Sequence, residues 1–258
     1  MIELTQDERD ALERADDLYD EVLDADSVAA AERHAYAALR ESPLHADSYV
    51  SLAMLHADRP TESLFFWRAA LIAAELALGK ETMTELKGQF WGFMETRPYM
   101  RAKHGLAMTL WEQGERAEAI KHLNEMLRLN PNDNQGVRYQ LVSMLLEESK
   151  DADAAKLHKR YKGESTAFMR WPKVLLDFRT GGPELARAAL VEAMEANSHV
   201  PAYLGGKRLP KEEPDYYEIG SADEAALYVL AGKEAWTRTA GALEWLAGEV
   251  PKKRGARA

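Results

Sequence analysis

Residues 97–134 read RPYMRAKHGLAMTLWEQGERAEAIKHLNEMLRLNPNDN, and this stretch decides the fold class. Its apolar residues recur at the spacing of one α-helical face in two consecutive segments. They are Leu106, Ala107 and Leu110 in the first segment, and Ala119, Ile120, Leu123, Met126 and Leu127 in the second. Gly114, between the segments, adopts a positive φ at low cost and suits a tight turn. Pro131 disfavours a helix interior, so the stretch predicts a helix pair that ends before it.

This helix pair resembles a tetratricopeptide repeat (TPR) when Met100 is taken as its first position. The matching residues are Leu106 and Ala107 at the Leu-Gly pair, Leu110 at the large position of helix A, Ala119 at the small position of helix B, Leu123 at the aromatic position and Pro131 at the closing proline. Lys103 departs from the pattern where tryptophan is common, and Met126 departs where alanine is usual. The resemblance implies a stack of helix pairs whose A helices line a concave face.

The flanking sequence also favours helices. Capping boxes begin at Thr5 and at Ser221, and Thr82 is predicted to cap a further short helix. No segment alternates between apolar and polar residues for long enough to be a strand. We therefore predict an all-α fold, a TPR-like α-solenoid of antiparallel helix pairs with an atypical helical C-terminal cap.

The predicted organisation has four parts, because the repeat spacing holds best in the middle of the chain. Residues 1–96 are a helical region with degenerate repeats, residues 97–198 the TPR-like repeats, residues 199–250 a C-terminal capping region, and residues 251–258 a flexible basic tail. The aromatic residues before the repeats are predicted to be core; they are Phe65, Phe66, Trp67, Phe90, Trp91 and Phe93.

A second resemblance rests on residues in the last two thirds of the chain. The segments that carry it read FWG (90–92), ETRPYMR (95–101), NSHVPAYL (197–204), GSADEAALY (220–228) and GALEWL (241–246), with Trp236 between the last two. They are similar to the C-terminal region of the suppressor-of-tumorigenicity-seven family and its bacterial relatives. The resemblance supports the helical fold and implies no established catalytic chemistry. Animal members of the family are membrane-anchored, whereas no anchor is predicted here.

The composition argues against several classes of protein, namely nucleic-acid-binding, membrane-spanning and secreted proteins. The chain has 258 residues, 46% hydrophobic and 29% charged, with no cysteine and a formal net charge of −10. The acidic balance argues against general nucleic-acid binding, which needs an electropositive face. No apolar run is long enough to span a membrane, and the acidic start does not resemble a signal peptide. We therefore predict a cytoplasmic protein with neither nucleic acid nor membrane as a partner.

The sequence lacks recognisable catalytic motifs. Phosphate-binding, dinucleotide-binding and nucleophile-elbow patterns are absent. The seven histidines show no metal-ligand spacing on one helix. His56 with Asp58 is interpreted as a turn pair, and Glu118 with His122 as a surface pair one helical turn apart. We predict no cofactor, no metal and no enzymatic activity.

Five basic residues and one glutamine near the starts of the A helices form the predicted binding site. The set is Arg97, Arg101, His104, Gln135, Arg138 and Arg170. A cationic strip in an acidic chain suits an acidic peptide, or a peptide that binds through its C-terminal carboxylate, because guanidinium groups match carboxylates. The alternative is that each arginine pairs with an acidic residue of a neighbouring repeat. Tyr216 and Tyr217, in a charged loop, are a second possible contact surface.

The sequence favours a non-catalytic adaptor that binds a peptide or partner protein in its concave groove. An enzyme or small-molecule sensor on the same scaffold remains an alternative, as does a structural subunit of a larger assembly. Basic and tyrosine residues clustered around one deep pocket would favour the enzyme or sensor.

Overall fold

The computed structural model describes residues 4–214 and 216–250, and it confirms the all-α prediction. This part of the chain contains twelve α-helices and two short 3-10 turns, without a strand. It forms two compact units, divided between Val137 and Arg138 and here called the first and second units. The predicted boundaries at residues 96 and 198 fall inside these units, and the predicted tail at 251–258 lies outside the described residues. None of the described helices is both long and apolar enough to cross a membrane.

The first unit contains six helices, each packed against the next one in the chain. They are α1 (Gln6–Leu23), α2 (Val28–Glu41), α3 (Ala46–Leu55), α4 (Pro60–Glu85), α5 (Arg97–Glu112) and α6 (Arg116–Leu129). The 3-10 turns Phe90–Gly92 and Met94–Thr96 lie between α4 and α5. Alternate helices also meet, since α3 contacts both α1 and α5. The first helices of three consecutive pairs are therefore neighbours.

Short polar side chains define where these helices begin. Thr5 and Glu8 form the predicted capping box, in which Glu8 accepts from the Thr5 N–H at 2.8 Å. Ser27 caps α2 by accepting from the Ala30 N–H at 3.3 Å. Gly114 has the expected positive φ of 86° between α5 and α6. These local signals fix the helix boundaries because each satisfies or avoids an unpaired backbone group.

Helix α4 differs from the prediction near its end. Gly79, whose φ is 67°, separates the long apolar segment from a short helical segment that ends at Glu85, and Thr82 lies inside this short segment instead of capping it. A positive φ is easy for glycine, so Gly79 allows a kink between the two helical segments. Of the predicted aromatic core, Phe66, Trp67 and Phe90 are buried and Trp91 is half-buried, whereas Phe65 and Phe93 are exposed.

The contact between α4 and α5 is unusually close at one point. A Cβ atom on Gly105 would overlap the six-membered ring of Trp67. The tryptophan belongs to the apolar core of the first unit, with Leu52, Ala70, Leu106 and Leu110. Glycine at position 105 therefore lets the α5 backbone lie directly on the indole ring.

The second unit contains the remaining helices, apart from the first residue of α7. They are α7 (Val137–Glu147), α8 (Asp151–Arg160), α9 (Ala167–Ala196), α10 (Val200–Leu204), α11 (Ala222–Arg238) and α12 (Ala242–Glu249). Helix α9 is interrupted at Gly182, whose φ is 73°, and it therefore has two helical segments. It contacts α8, α11 and α12, so its two segments organise the unit.

Arg179 connects elements that are distant in the sequence. Its guanidinium donates to the Leu146 carbonyl at 2.6 Å, to Asp151 at 3.0 Å, and to Thr239 Oγ1 at 2.7 Å. A further bond reaches the Ala235 carbonyl at 3.0 Å. One side chain of α9 thus satisfies backbone and side-chain acceptors near the ends of α7 and α11 and the start of α8.

Glu224 corrects the prediction of a capping box at Ser221. Ser221 Oγ does accept from the Glu224 N–H at 3.1 Å, but the Ser221 N–H donates to the Glu218 carbonyl instead. The Glu224 carboxylate is fully buried and accepts from the Ala167 and Gly220 N–H groups, at 2.8 and 2.7 Å. Its oxygens are engaged by these donors rather than by the cap residue.

Candidate functional site

The first turns of α5 carry three of the predicted binding residues on one face. Arg97, Arg101 and His104 are spaced by four and three residues, which places them above one another on a helix. The Arg97 guanidinium lies 5.3 Å from the Trp91 ring centroid and donates to the Trp91 carbonyl at 3.2 Å. His104 is half-buried further along the helix. This face of α5 is cationic at its start, where the Arg97 guanidinium packs on the Trp91 ring.

Arg101 connects α5 to α3. Its Nε donates to Asp47 Oδ1 at 2.9 Å, and a second bond joins its terminal nitrogen to the other carboxylate oxygen. The Arg101 side chain is 42% exposed, whereas Asp47 is 15% exposed. Tyr19 of α1 contacts Ser51 of α3 at 2.9 Å, so polar contacts follow the row α1–α3–α5. Arg101 is therefore paired but open to solvent.

Gln135 precedes α7, at the end of the first unit. Its side-chain Oε1 is buried and has no hydrogen-bond partner. Asp133, two residues earlier, accepts from the Val137 N–H at 2.8 Å and stabilises the start of α7. A buried amide oxygen without a donor is uncommon, and it marks Gln135 as a side chain able to accept a hydrogen bond.

Arg138 is much less accessible than Arg101. Its guanidinium pairs with Glu164 at 2.7 Å and lies 4.2 Å from the Tyr139 ring centroid. Tyr139 donates to the same carboxylate at 3.0 Å, and burial raises the pKa of the Tyr139 hydroxyl. The Arg138 side chain is only 11% exposed. This arrangement is a half-buried ion pair between aromatic rings, in which each group supports the other.

Arg170 lies at a cavity of 560 Å³ bounded by α8 and both segments of α9. It pairs with Glu192, and Lys173, one turn further, pairs with Asp177. His158 of α8 lines the same cavity. The sequence did not reveal this cavity, because the residues that line it come from separate helical segments, α8 and the two segments of α9.

The tyrosine pair of the charged loop is divided between solvent and protein. Tyr216 is 83% exposed. Tyr217 packs against Phe168, with ring centroids 5.6 Å apart, and burial raises the pKa of its hydroxyl. Phe168 also contacts Tyr139 and Tyr228. Tyr217 thus anchors the loop, and Tyr216 is the accessible member of the pair.

A buried charge pair that the sequence did not predict joins the helices α5 and α6. Lys103 of α5 is 5% exposed and pairs with Glu125 of α6 at 2.8 Å. Although burial opposes it, the hydrogen bond and charge of Lys103 hold the pKa of Glu125 below its ordinary value. The sequence signal that could have revealed the pair is Lys103 itself, which stands where the TPR pattern commonly has tryptophan. His122, beside the pair, has a lowered pKa because of burial and the Lys103 charge; its Nε2 is 3.7 Å from Glu118.

Histidines elsewhere in the first unit are engaged in ordinary polar contacts. His56 is buried and bonds to Glu62 at 2.9 Å and to Glu32 at 3.3 Å. It therefore links α2 and α4, rather than forming a turn pair with Asp58. Across residues 4–214 and 216–250, no group of three or more potential ligands is arranged to hold a metal ion.

Two of the segments that carry the second sequence resemblance, residues 197–204 and 220–228, meet at a buried group of hydrogen bonds in the second unit. Asn197 Nδ2 donates to Glu224 at 2.9 Å and to the Ser221 carbonyl at 2.8 Å. The Asn197 carbonyl accepts from Trp171 Nε1 at 3.1 Å. Trp236 Nε1 donates to the Tyr228 hydroxyl at 2.8 Å. These resemblance residues therefore hold the fold of the second unit together.

Comparison with known proteins supports this second resemblance. The chain is 29% identical over 180 residues to a "Protein ST7 homolog" of Caenorhabditis briggsae, an alignment that covers 56% of this chain and 32% of the relative. It is 26% identical over 253 residues to the protein of the same name from Caenorhabditis elegans, covering 82% and 46%. The chain thus spans less than half the length of these curated relatives. No protein-family model matches it. Weak homology to ST7 homologs is established, and the TPR interpretation stays a prediction.

Proposed function

We propose that this chain is a non-catalytic protein-interaction module, a TPR-type adaptor that binds a peptide or partner protein in a concave groove. The observation that supports it most is the contact of α3 with both α1 and α5. In stacked helical repeats, contacts between alternate helices align the first helix of each pair in one row, and such rows form extended binding surfaces. We place the adaptor in the cytoplasm, consistent with its cysteine-free composition.

Arg101 is the proposed anchor of the binding surface. Its guanidinium is accessible, and the less exposed Asp47 already holds it in a fixed orientation. A planar guanidinium offers further donors to a second carboxylate, so we expect an acidic partner or a C-terminal carboxylate. The proposed contact residues are Arg97, Arg101, His104 and Gln135 in the first unit and Arg138 and Arg170 in the second, with Tyr216 and Tyr217 of the second unit as a possible further surface.

The proposal is tested by recovering partners from the source cell with the immobilised full-length protein and identifying them by mass spectrometry. Arg101→Ala should abolish recovery of the specific partner, because it removes the cation. Asp47→Asn breaks the same ion pair but keeps the arginine, so recovery should be retained or increased. If the pair is only a structural bridge between α3 and α5, the two variants should behave alike.

Arg59→Ala provides a matched control. Arg59 is also a half-exposed arginine of the first unit, paired with Glu62 at 2.8 Å, but it lies just before α4 and outside the row α1–α3–α5. Its loss should leave partner recovery unchanged. Full recovery by Arg101→Ala would refute the proposed site, and a loss of recovery in Arg59→Ala would show that binding depends on overall charge.

A further inference from the structure

The cavity between α8 and α9 has the size and the lining of a small-molecule site. Its volume of 560 Å³ lies in the range of about 300–1,000 Å³ that is typical of ligand pockets. Leu176 and Leu185, from the two segments of α9, provide apolar surface. Arg170 and Lys173 of the first segment provide cations. Apolar walls with a few converging polar groups favour a ligand that has both characters.

His158 supplies an unsatisfied polar group at this cavity. It is 9% exposed and lines the cavity, and its Nε2 atom is buried with no hydrogen-bond partner. Burial, and then the charges of Lys173 and Arg170, lower its pKa to about 4. The imidazole is therefore neutral at pH 7 and has one donor and one acceptor nitrogen. A buried nitrogen without a partner is destabilising unless another group completes it.

The charge around the cavity favours an anion. Asp177 and Glu192 pair with Lys173 and Arg170, while Glu164 pairs with Arg138, which does not line the cavity. Two further lysines at the lining, Lys159 and Lys162, are exposed. Cations thus exceed the carboxylates available to them, in a chain whose net charge is −10.

We propose that this cavity binds a small organic anion, in which a carboxylate or phosphate monoester is attached to an apolar body. The anionic group is held by Lys173 and Arg170 and accepts a hydrogen bond from His158 Nε2, while the apolar body packs on Leu176 and Leu185. The ligand contacts both segments of α9 and stabilises the angle between them. This inference goes beyond the adaptor proposal, which concerns protein partners.

The test uses NMR to follow the imidazole resonances of His158 in the full chain. The probes are phenylacetate, phenyl phosphate, inorganic phosphate and the uncharged benzyl alcohol. Phenylacetate or phenyl phosphate should cause a saturable shift and raise the midpoint of the His158 titration by about one pH unit or more, because an anion offsets the neighbouring cations. The more effective of the two identifies the anionic group. No saturable shift at millimolar concentrations of either, or equal binding of benzyl alcohol or inorganic phosphate, would overturn the proposal.

Two variants localise the binding. Lys173→Met should weaken binding about tenfold, the effect of one charge-assisted hydrogen bond. Lys156→Met is the matched control, since Lys156 of α8 also pairs with an aspartate of its own helix, Asp153, at 2.8 Å, but does not line the cavity. Ala188→Phe fills the cavity without changing any charge and should abolish the shift. Unchanged binding in both Lys173→Met and Ala188→Phe would exclude this cavity. Neither variant touches Arg101, so the adaptor proposal is tested separately.

Discussion

The first and second units differ in how far along the sequence their buried polar contacts reach. In the first unit, His56 bonds to glutamates 6 and 24 residues away, in helices that neighbour its own in the chain. In the second unit, Glu224 binds the Ala167 N–H 57 residues away, and Arg179 reaches Thr239 across 60 residues. The buried polar contacts of the first unit thus join helices that are close in the sequence, whereas its long-range pair, Arg101 with Asp47 across 54 residues, is exposed. The second depends on buried charges that connect distant segments, which helical periodicity does not reveal.

The largest expected effect is at Glu224, the centre of the long-range contacts. Glu224→Ala leaves the Ala167 and Gly220 N–H groups and the Asn197 amide without their acceptor. The free energy of unfolding should fall by about 3–5 kcal/mol, because several buried donors lose their partner together. Urea unfolding measures the change. Asp223→Asn, one residue earlier and exposed, is the control and should change it by less than about 0.5 kcal/mol.

The second largest expected effect is a pH dependence of the free energy of unfolding that is due to His158. The pKa of native His158 is about 4, below its unfolded value of 6.5, so the unfolded state binds a proton first as the pH falls. The stabilisation is complete above pH 6.5 and is lost progressively towards pH 4, amounting to roughly 3 kcal/mol. Comparing urea unfolding at several pH values with that of His158→Gln isolates the contribution. An equally steep pH dependence in the variant would assign it to other groups.

The close contact between Gly105 and Trp67 in the first unit is tested by the direction in which a substitution changes the melting temperature. Gly105→Ala gains about 1 kcal/mol of helix propensity in an unconstrained helix. Here the new methyl group would overlap the Trp67 ring, and overpacking of this kind costs about 1–3 kcal/mol. The melting temperature should therefore fall or stay level, and the fluorescence of Trp67 should change. A clear rise in melting temperature would show that α4 and α5 are packed less closely.

The smallest expected effect on stability is at the exposed pair of α3 and α5. Arg101→Ala should change the free energy of unfolding by less than about 1 kcal/mol, because exposed ion pairs contribute little. Arg138→Ala, which removes one partner of a much less exposed pair, should cost clearly more. Urea unfolding of the two variants side by side checks this order. If both variants lost the same free energy of unfolding, the difference in exposure between Arg101 and Arg138 would have no effect on stability.

Much of the fold follows from short-range chemistry in the sequence. Thr5 and Gly114 mark helix ends in the structure because capping and positive φ depend on nearby residues. Thr82 is not a cap because the short helical segment that it was predicted to begin starts earlier, directly after the kink at Gly79. Glu224 was predicted to cap its own helix, but tertiary contacts engage its carboxylate. Local patterns therefore locate helices, and they do not show where a buried charge finds its partner.

The candidate site was predictable in composition but not in accessibility. The arginines near helix starts are visible in the sequence, whereas the exposure of Arg101 and the enclosure of Arg138 depend on neighbours such as Asp47 and Glu164. The cavity at His158 could not be predicted, since its walls come from separate segments of α8 and α9. Nothing in a single helix pattern indicates that these segments leave a space between them.

The central claim is that exposed guanidinium groups of this acidic chain recognise an acidic partner. The most direct measurement is recovery of the specific partner by the wild-type protein and by Arg101→Ala while ionic strength is raised from about 50 mM to about 500 mM. For the wild-type protein, recovery should fall steeply with salt, because exposed charge pairs are screened. At the lowest salt, the variant should already show the weak recovery that the wild-type protein reaches at high salt. Recovery that is independent of salt and the same in both proteins would contradict the claim.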